Sequence, residues 1–192
     1  MDLLFFFFFF ISLKTIENMG SFLGENPIEV ASGLHLSLIS FFSNLLKFTS
    51  SDAESSKIIN VLKEGGHSGE FLNNLEAFSG NNEKSKLLVT IGSNIVNHFN
   101  GNKNAVIEKV AELSGIKKTS ASSLYSIAAP IALGALGKEV KEQGLNNVGL
   151  RNLLIENADT LKGSLPPAIA NILNLKQDIG LNKVENVVIA DE

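Results

Sequence analysis

The chain has 192 residues, of which 44% are hydrophobic, and a formal net charge of −4. This length fits one domain, or one domain built from two similar halves, and the apolar fraction is typical of a globular protein with a core. The acidic balance argues against binding to nucleic acid, which usually requires a basic face. The absence of cysteine excludes disulfides, cysteine zinc sites and thiol catalysis.

Six consecutive phenylalanines, Phe5–Phe10, lie near the start of the chain. The apolar stretch around them, Leu3–Leu13, has eleven residues. A membrane span needs roughly 20, and we expect no other apolar stretch to come near that length and no transmembrane span. A cleaved secretion signal is disfavoured, because Asp2 precedes the run where positive charge is expected and no small-residue cleavage site follows it.

A short helix packed on the domain is the plain structural interpretation of the run. A helix of phenylalanine is apolar on every side, whereas a surface helix shows an apolar stripe. Its outer face therefore requires cover from another subunit, a membrane surface or the rest of the fold. A misread T-rich codon tract is a further alternative, which leaves open whether Phe5–Phe10 is genuine.

The following segments predict one helix after another. Ser12 can cap a helix that runs to about Leu23, and "GENPIE" predicts a helix start with Asn26 as N-cap and Pro27 in the first position. That helix should run to about Phe48. The stretch "SKIINVLKEGG" predicts a helix with a glycine C-cap, and "SGEFLNNLEAFSG" predicts a short helix.

The second part of the chain continues the pattern. "LLVTI" has strand propensity, but its surroundings favour a helix. The next helix should turn Val106, Val110 and Leu113 inward. The long segment after it should begin at a Thr119/Ser120 cap, and "LRNLLI" and "LPPAIANILNL" predict two more helices.

Pro130 lies inside the long segment, where it predicts a kink or a break, because proline lacks the N–H that would bond the carbonyl of Ser126. Small residues surround it, and another backbone should pass close to Gly134. A tightly packed central helix is the preferred interpretation, with a subunit contact or a peptide groove as the alternative.

These patterns predict an all-α fold of about eight to ten helices in one domain, residues 1–175. A polar stretch near residue 80 and a weak repeat at a shift of ninety positions divide it into similar halves at about 1–78 and 83–175. Residues 176–192 should form a loosely ordered tail.

The search for chemistry gives no catalytic, cofactor-binding or metal-binding residue. His35, His67 and His98 never share a helix turn, so zinc patterns are absent. "GHSGE" around Ser68 departs from a nucleophile elbow, because Glu70 replaces the second glycine. The glutamates should lie at helix ends and on solvated faces.

Residues 99–154 carry a resemblance to a known family. The stretches "AAPIALGALGK" and "GLNNVGLRNLL", with "LPPAIANILNL" after them, resemble a bacterial family of helical domains of unknown function typified by YidB. The likeness extends over nearly the whole chain to about residue 175. It implies helix packing and carries no established activity, although the family's opening helix is mixed rather than all phenylalanine.

We therefore expect a non-enzymatic helical scaffold or protein-interaction domain, with a second copy or another protein as partner. The alternatives are a membrane-surface protein held by the phenylalanine helix, in peripheral contact only, and a small-ligand carrier. A cytoplasmic location is expected, with the cell envelope as the alternative.

Overall fold

The computed structural model describes residues 2–99 and 101–175. Within these residues it has eleven α-helices, nine of them with seven or more residues, and no strand, which confirms the predicted all-α class. The helices are α1 (Leu3–Phe10), α2 (Leu13–Leu23), α3 (Pro27–Lys47), α4 (Asp52–Glu64), α5 (Leu75–Ser79), α6 (Asn82–His98), α7 (Lys103–Ser114), α8 (Lys118–Gln143), α9 (Asn147–Glu156), α10 (Ala158–Ser164) and α11 (Pro167–Ile172), with a 3-10 helix, Glu70–Asn74, before α5.

The predicted helix starts near the N-terminus are confirmed. Ser12 Oγ accepts a hydrogen bond from the N–H of Thr15 (3.1 Å) at the start of α2. Asn26 Oδ1 accepts one from the N–H of Ile28 (2.9 Å), and Pro27 is the first residue of α3. These side chains satisfy N–H groups that have no partner inside the helix.

The centre of the fold is α8, which packs against α3, α4, α6 and α7. The small residues of α8 around Pro130, from Ala128 to Gly137, are all buried, so the preferred interpretation as a central packed helix is correct. Gly134 leaves room for the side chains of Phe71 and Leu72, because a Cβ there would lie 2.9 Å from Phe71 Cε1. Close approach of another backbone occurs at Gly137, whose Cβ would lie 1.4 Å from the carbonyl oxygen of His67.

Helix α8 continues through Pro130, which excludes a break, whereas the predicted kink stays a prediction. The carbonyl of Ser126, which loses its helical donor to the proline, faces Gly92 of α6. A Cβ on Gly92 would lie only 1.8 Å from that carbonyl oxygen. The two helices therefore touch through their backbones at the point where the proline frees a carbonyl group.

Two predictions about α7 and α8 are wrong. Leu113 is 45% exposed, and Ile107 is buried on the inner face with Val106 and Val110. The N-cap of α8 is Lys117, not Thr119 or Ser120, and no side-chain hydrogen bond caps it within its own helix.

Glu25, in the connection between α2 and α3, provides the missing cap from a distance. Its Oε1 accepts hydrogen bonds from the backbone N–H of Lys117 (3.1 Å) and from Ser120 Oγ (2.7 Å). Its side chain is largely covered, contrary to the expected solvated glutamate. The connection before α3 is thereby joined to the connection before α8.

The Glu25→Gln variant should lose less stability than wild type when the pH is lowered into the acid range. The hydrogen bonds from Ser120 and the Lys117 backbone hold the pKa of the Glu25 carboxyl below its ordinary value of 4.5. Such a group stabilises the fold above pH 4.5 and loses that contribution as the pH falls through the lowered pKa. Denaturant unfolding should therefore give a higher free energy of unfolding for wild type than for the variant at neutral pH. This difference should become smaller in acid. Glu83→Gln, at a side chain 82% exposed and paired only with the exposed Lys86, is the control and should show a much smaller difference.

A short helix, a long helix and another short helix follow one another in α2–α4 and again in α7–α9. The division into similar halves stays a prediction, since similar order alone does not establish superposition. Buried residues from both proposed halves belong to one core. The predicted tail, 176–192, lies outside the described residues.

Candidate functional site

The most exposed large apolar side chains of the described residues all lie in the first 28 positions. They are Phe5, Phe9, Leu13 and Ile28, which are exposed by 74%, 81%, 85% and 81%. Isolated exposed apolar residues are ordinary on protein surfaces, whereas a group of them beside a cleft indicates an interaction site.

An apolar cleft of about 220 Å³ lies between α3 and the α1–α2 pair. Its lining is aliphatic except for one histidine, and consists of Leu4, Ile11, Leu13, Ile16, Ala31, Leu34, His35 and Leu38. Burial lowers the pKa of His35, which favours its neutral form at neutral pH. The cleft therefore presents little charge to a bound group.

The position of α1 follows from a few anchors on its inner side. Leu3 and Leu4 are buried, and the N–H of Leu3 donates to Oδ1 of the buried Asn157 (2.9 Å). The ammonium of Lys138 lies 5.0 Å from the ring centroid of Phe10. Since these contacts hold one side of α1, Phe5 and Phe9, one helical turn apart, point away from the body.

Helix α3 supplies the other wall of the cleft. Ile28, Ala31, His35 and Leu38 follow one another at helical spacing, so they lie on one face. We call Phe5, Phe9, Leu13 and Ile28 together with the cleft the N-terminal patch. Two charged residues beside it have partners: Asp2 accepts hydrogen bonds from the first turn of α1, and Lys14 is paired with Glu17 (3.4 Å).

A second concave region surrounds the loop between α4 and the 3-10 helix. Ser68 contributes to three clefts there, the largest about 500 Å³ and also lined by Lys63, His67 and Lys141. The loop follows a helix instead of a strand, which agrees with rejecting a nucleophile elbow. Both lysines lie in or near the last turns of helices, where cations are favoured without any ligand, and Lys141 faces Glu70 at 3.6 Å.

The structure keeps the three histidines apart. His35 lies beside the N-terminal cleft, His67 lies in the loop, and His98 ends α6 with its ring against Phe99. Burial lowers the pKa of His67 as it does that of His35. Residues 2–99 and 101–175 contain no group of three His, Asp or Glu side chains placed to hold a metal ion.

Glu139 differs from its prediction. It was expected on a solvated face but is only 5% exposed, and Gln143 donates a hydrogen bond to its carboxylate. The sequence contains the matching signal, because Gln143 stands four residues later on the same helix face.

Two helices, Pro27–Lys47 and Lys118–Gln143, are long and apolar enough to cross a membrane by length and composition alone. The expectation that no other segment approaches such a length is therefore wrong. Their apolar windows are 72% and 89% buried inside the fold. Core helices of soluble proteins pass the same test, so this finding is weak evidence for a span.

One comparison with known proteins identifies a family. A family model described as "Bacterial protein of unknown function (DUF937)" matches residues 9–139. The chain belongs to this family. The resemblance to YidB-like domains is thereby confirmed. No curated protein and no solved structure matches the chain.

The DUF937 match extends from the end of α1 to the last third of α8. It includes Phe9, Leu13 and Ile28 of the N-terminal patch, while Phe5 lies outside it. The family description names no ligand, reaction or partner, so the function has to be inferred from the surface of this chain.

Proposed function

We propose that this DUF937 protein is a non-enzymatic helical interaction domain that binds another protein chain through the N-terminal patch. The observation that carries the proposal is the exposure of Phe5, Phe9, Leu13 and Ile28 on the three helices that form an apolar cleft, which Leu13 itself lines. Aromatic side chains in such positions supply much of the binding energy of protein interfaces. The remaining helices serve to hold this surface in place.

A membrane surface is a weaker candidate for the same patch. Helices that lie on bilayers combine an apolar face with a polar face rich in Lys and Arg. Helix α1 contains neither residue, and Asp2 precedes it. The nearest lysine in sequence, Lys14, is paired with Glu17, and the net charge of −4 disfavours an anionic bilayer.

A small-ligand carrier has less support than either. The cleft of about 500 Å³ beside Ser68 is larger than the N-terminal cleft, but helix ends and the carboxylate of Glu70 account for its lysines. The N-terminal cleft is apolar and of a size that suits one side chain of a partner. The expected cytoplasmic location, with the cell envelope as the alternative, stays a prediction.

A photo-crosslinking amino acid at position 9 should yield covalent adducts with protein in living bacterial cells. Position 9 is 81% exposed in the patch, so a partner seated there comes within reach of the probe. The same probe at position 87, where Leu87 is 52% exposed on α6, is the matched control and should yield far fewer adducts. Adducts are measured as shifted bands and identified by mass spectrometry.

Protein adducts at position 9 that exceed those at position 87 would support the proposal. Adducts of equal yield at both positions, or adducts with lipid only, would contradict it. The lipid result would favour the membrane-surface alternative, and fractionation of the same cells would give the location of the protein.

A further inference from the structure

We infer that the occupant of the N-terminal patch is a second copy of this chain, with a phenylalanine ring of each copy seated in the cleft of the other. The inference rests on the proposed function and names its partner. It depends on three properties of the patch: the fit between ring and cleft, the apolar area available, and the distribution of charge.

The patch carries both halves of a complementary contact. Phe5 and Phe9 project from α1, and the cleft opens between α1, α2 and α3. An engineered apolar cavity of about 150 Å³ in another protein takes up benzene, so a cleft of about 220 Å³ has room for a phenyl ring. In a two-fold dimer the same surface meets itself, and each ring can therefore occupy the partner's cleft.

The apolar area of the patch suits a dimer of ordinary size. A phenylalanine side chain buries about 150–250 Å², so the two exposed rings offer on the order of 300 Å². Leu13 and Ile28 add on the order of 150 Å². A standard interface buries about 800 Å² per partner, of which about 65% is apolar in homodimers, or about 500 Å². The apolar area that the patch offers is therefore similar to the apolar area that one partner buries in a standard homodimer.

The charge distribution favours apolar contact over electrostatic attraction. Two copies with a net charge of −4 repel each other at long range, and α1 contributes no charged side chain to overcome this. Association should therefore strengthen as salt screens the repulsion, and sulfate should strengthen it further because it favours burial of apolar surface. An interface held by ion pairs would weaken with salt.

The test is sedimentation velocity of the purified full chain over a wide range of concentration. Wild type should show a reversible monomer–dimer equilibrium. The double variant Phe5→Ser/Phe9→Ser removes the rings and should raise the dimer Kd at least about tenfold. Ala31→Phe, at an exposed residue of the cleft wall, fills the cleft and should cause a similar loss with the rings intact. Leu87→Ser, on α6, is the control and should leave the Kd unchanged.

Mixing the two defective variants gives the sharpest readout. Neither homodimer retains a ring in a cleft, whereas the mixed dimer retains one, since the Ala31→Phe chain supplies a ring and the Phe5→Ser/Phe9→Ser chain supplies an open cleft. The mixture should therefore associate more tightly than either variant alone. Circular dichroism of each variant establishes that it is folded.

Two results would overturn the inference. One is a wild-type chain that stays monomeric at every concentration. This result overturns the inference even if a shortened chain without residues 176–192 forms a dimer. The other is a dimer that the ring and cleft variants leave unchanged. Neither result excludes a different protein at the patch, because adducts of foreign protein at position 9 would keep the proposed function while the second-copy inference fails.

Discussion

Gly92→Ala should destabilise the protein by about 3 kcal/mol, although alanine is the better helix former. The new Cβ would lie 1.8 Å from the carbonyl oxygen of Ser126 and 2.5 Å from its carbonyl carbon. Both atoms belong to the backbone of α8, so relief requires α6 to move away from the central helix. The gain in helix propensity, about 1 kcal/mol, is too small to offset this. Denaturant unfolding followed by circular dichroism measures the difference.

Gly163→Ala is the matched control for this substitution. Gly163 lies in α10, and a Cβ there would meet no atom within 4 Å. The same chemical change should therefore stabilise the protein by about 0.5–1 kcal/mol, through helix propensity and a less flexible unfolded chain. If the two variants unfold at the same denaturant concentration, α6 and α8 are not in backbone contact at Gly92.

Local signals in the sequence were sufficient for most helix boundaries. Ser12, Asn26 and Pro27 act within one turn of their own helix, and their chemistry is readable without knowledge of the fold. The "LLVTI" segment shows the same principle, since its surroundings outweighed strand propensity and α6 is helical. Such features depend only on neighbours in the chain.

The wrong predictions involve partners that are distant in sequence. The cap of α8 comes from Glu25, more than ninety residues earlier, whereas the local sequence offers only Thr119 and Ser120 as caps. Leu113 fits the apolar pattern of α7, but the part of the chain that the structure describes leaves it 45% exposed. Periodicity shows that a helix has an inner face, whereas packing decides where that face ends.

The candidate site was predictable only in outline. A helix of phenylalanine is apolar on every side, so each side is either exposed or covered by another part of a protein. This property of the sequence indicates a contact region at the N-terminus. The rings that remain exposed depend on the anchors of α1, among them the bond from Leu3 to Asn157 across 154 positions. The cleft is built from α1, α2 and α3 together, so no single helix contains it and its shape depends on how the three helices pack.

Phenylalanine has two different roles in this chain, which Phe41 and Phe9 illustrate. Phe41 of α3 is 1% exposed and makes edge-on ring contacts with Phe99 (6.2 Å between centroids) and Tyr125 (6.3 Å). It thereby joins α3 to α8 and to the end of α6. Phe9 is 81% exposed, so its ring contributes little to the folded monomer. The two positions should respond very differently to the same substitution.

Phe41→Ala should destabilise the protein by about 3–5 kcal/mol, because it removes a buried ring and leaves a cavity that the surrounding helices fill only in part. The melting temperature should fall on the order of 10 °C for a domain of this size. Phe9→Ala, measured at a concentration too low for association, should leave unfolding within about 0.5 kcal/mol of wild type. Calorimetry and denaturant unfolding of both variants provide the comparison. Equal losses at the two positions would mean that α1 is part of the core, and the N-terminal patch would then not be a free surface.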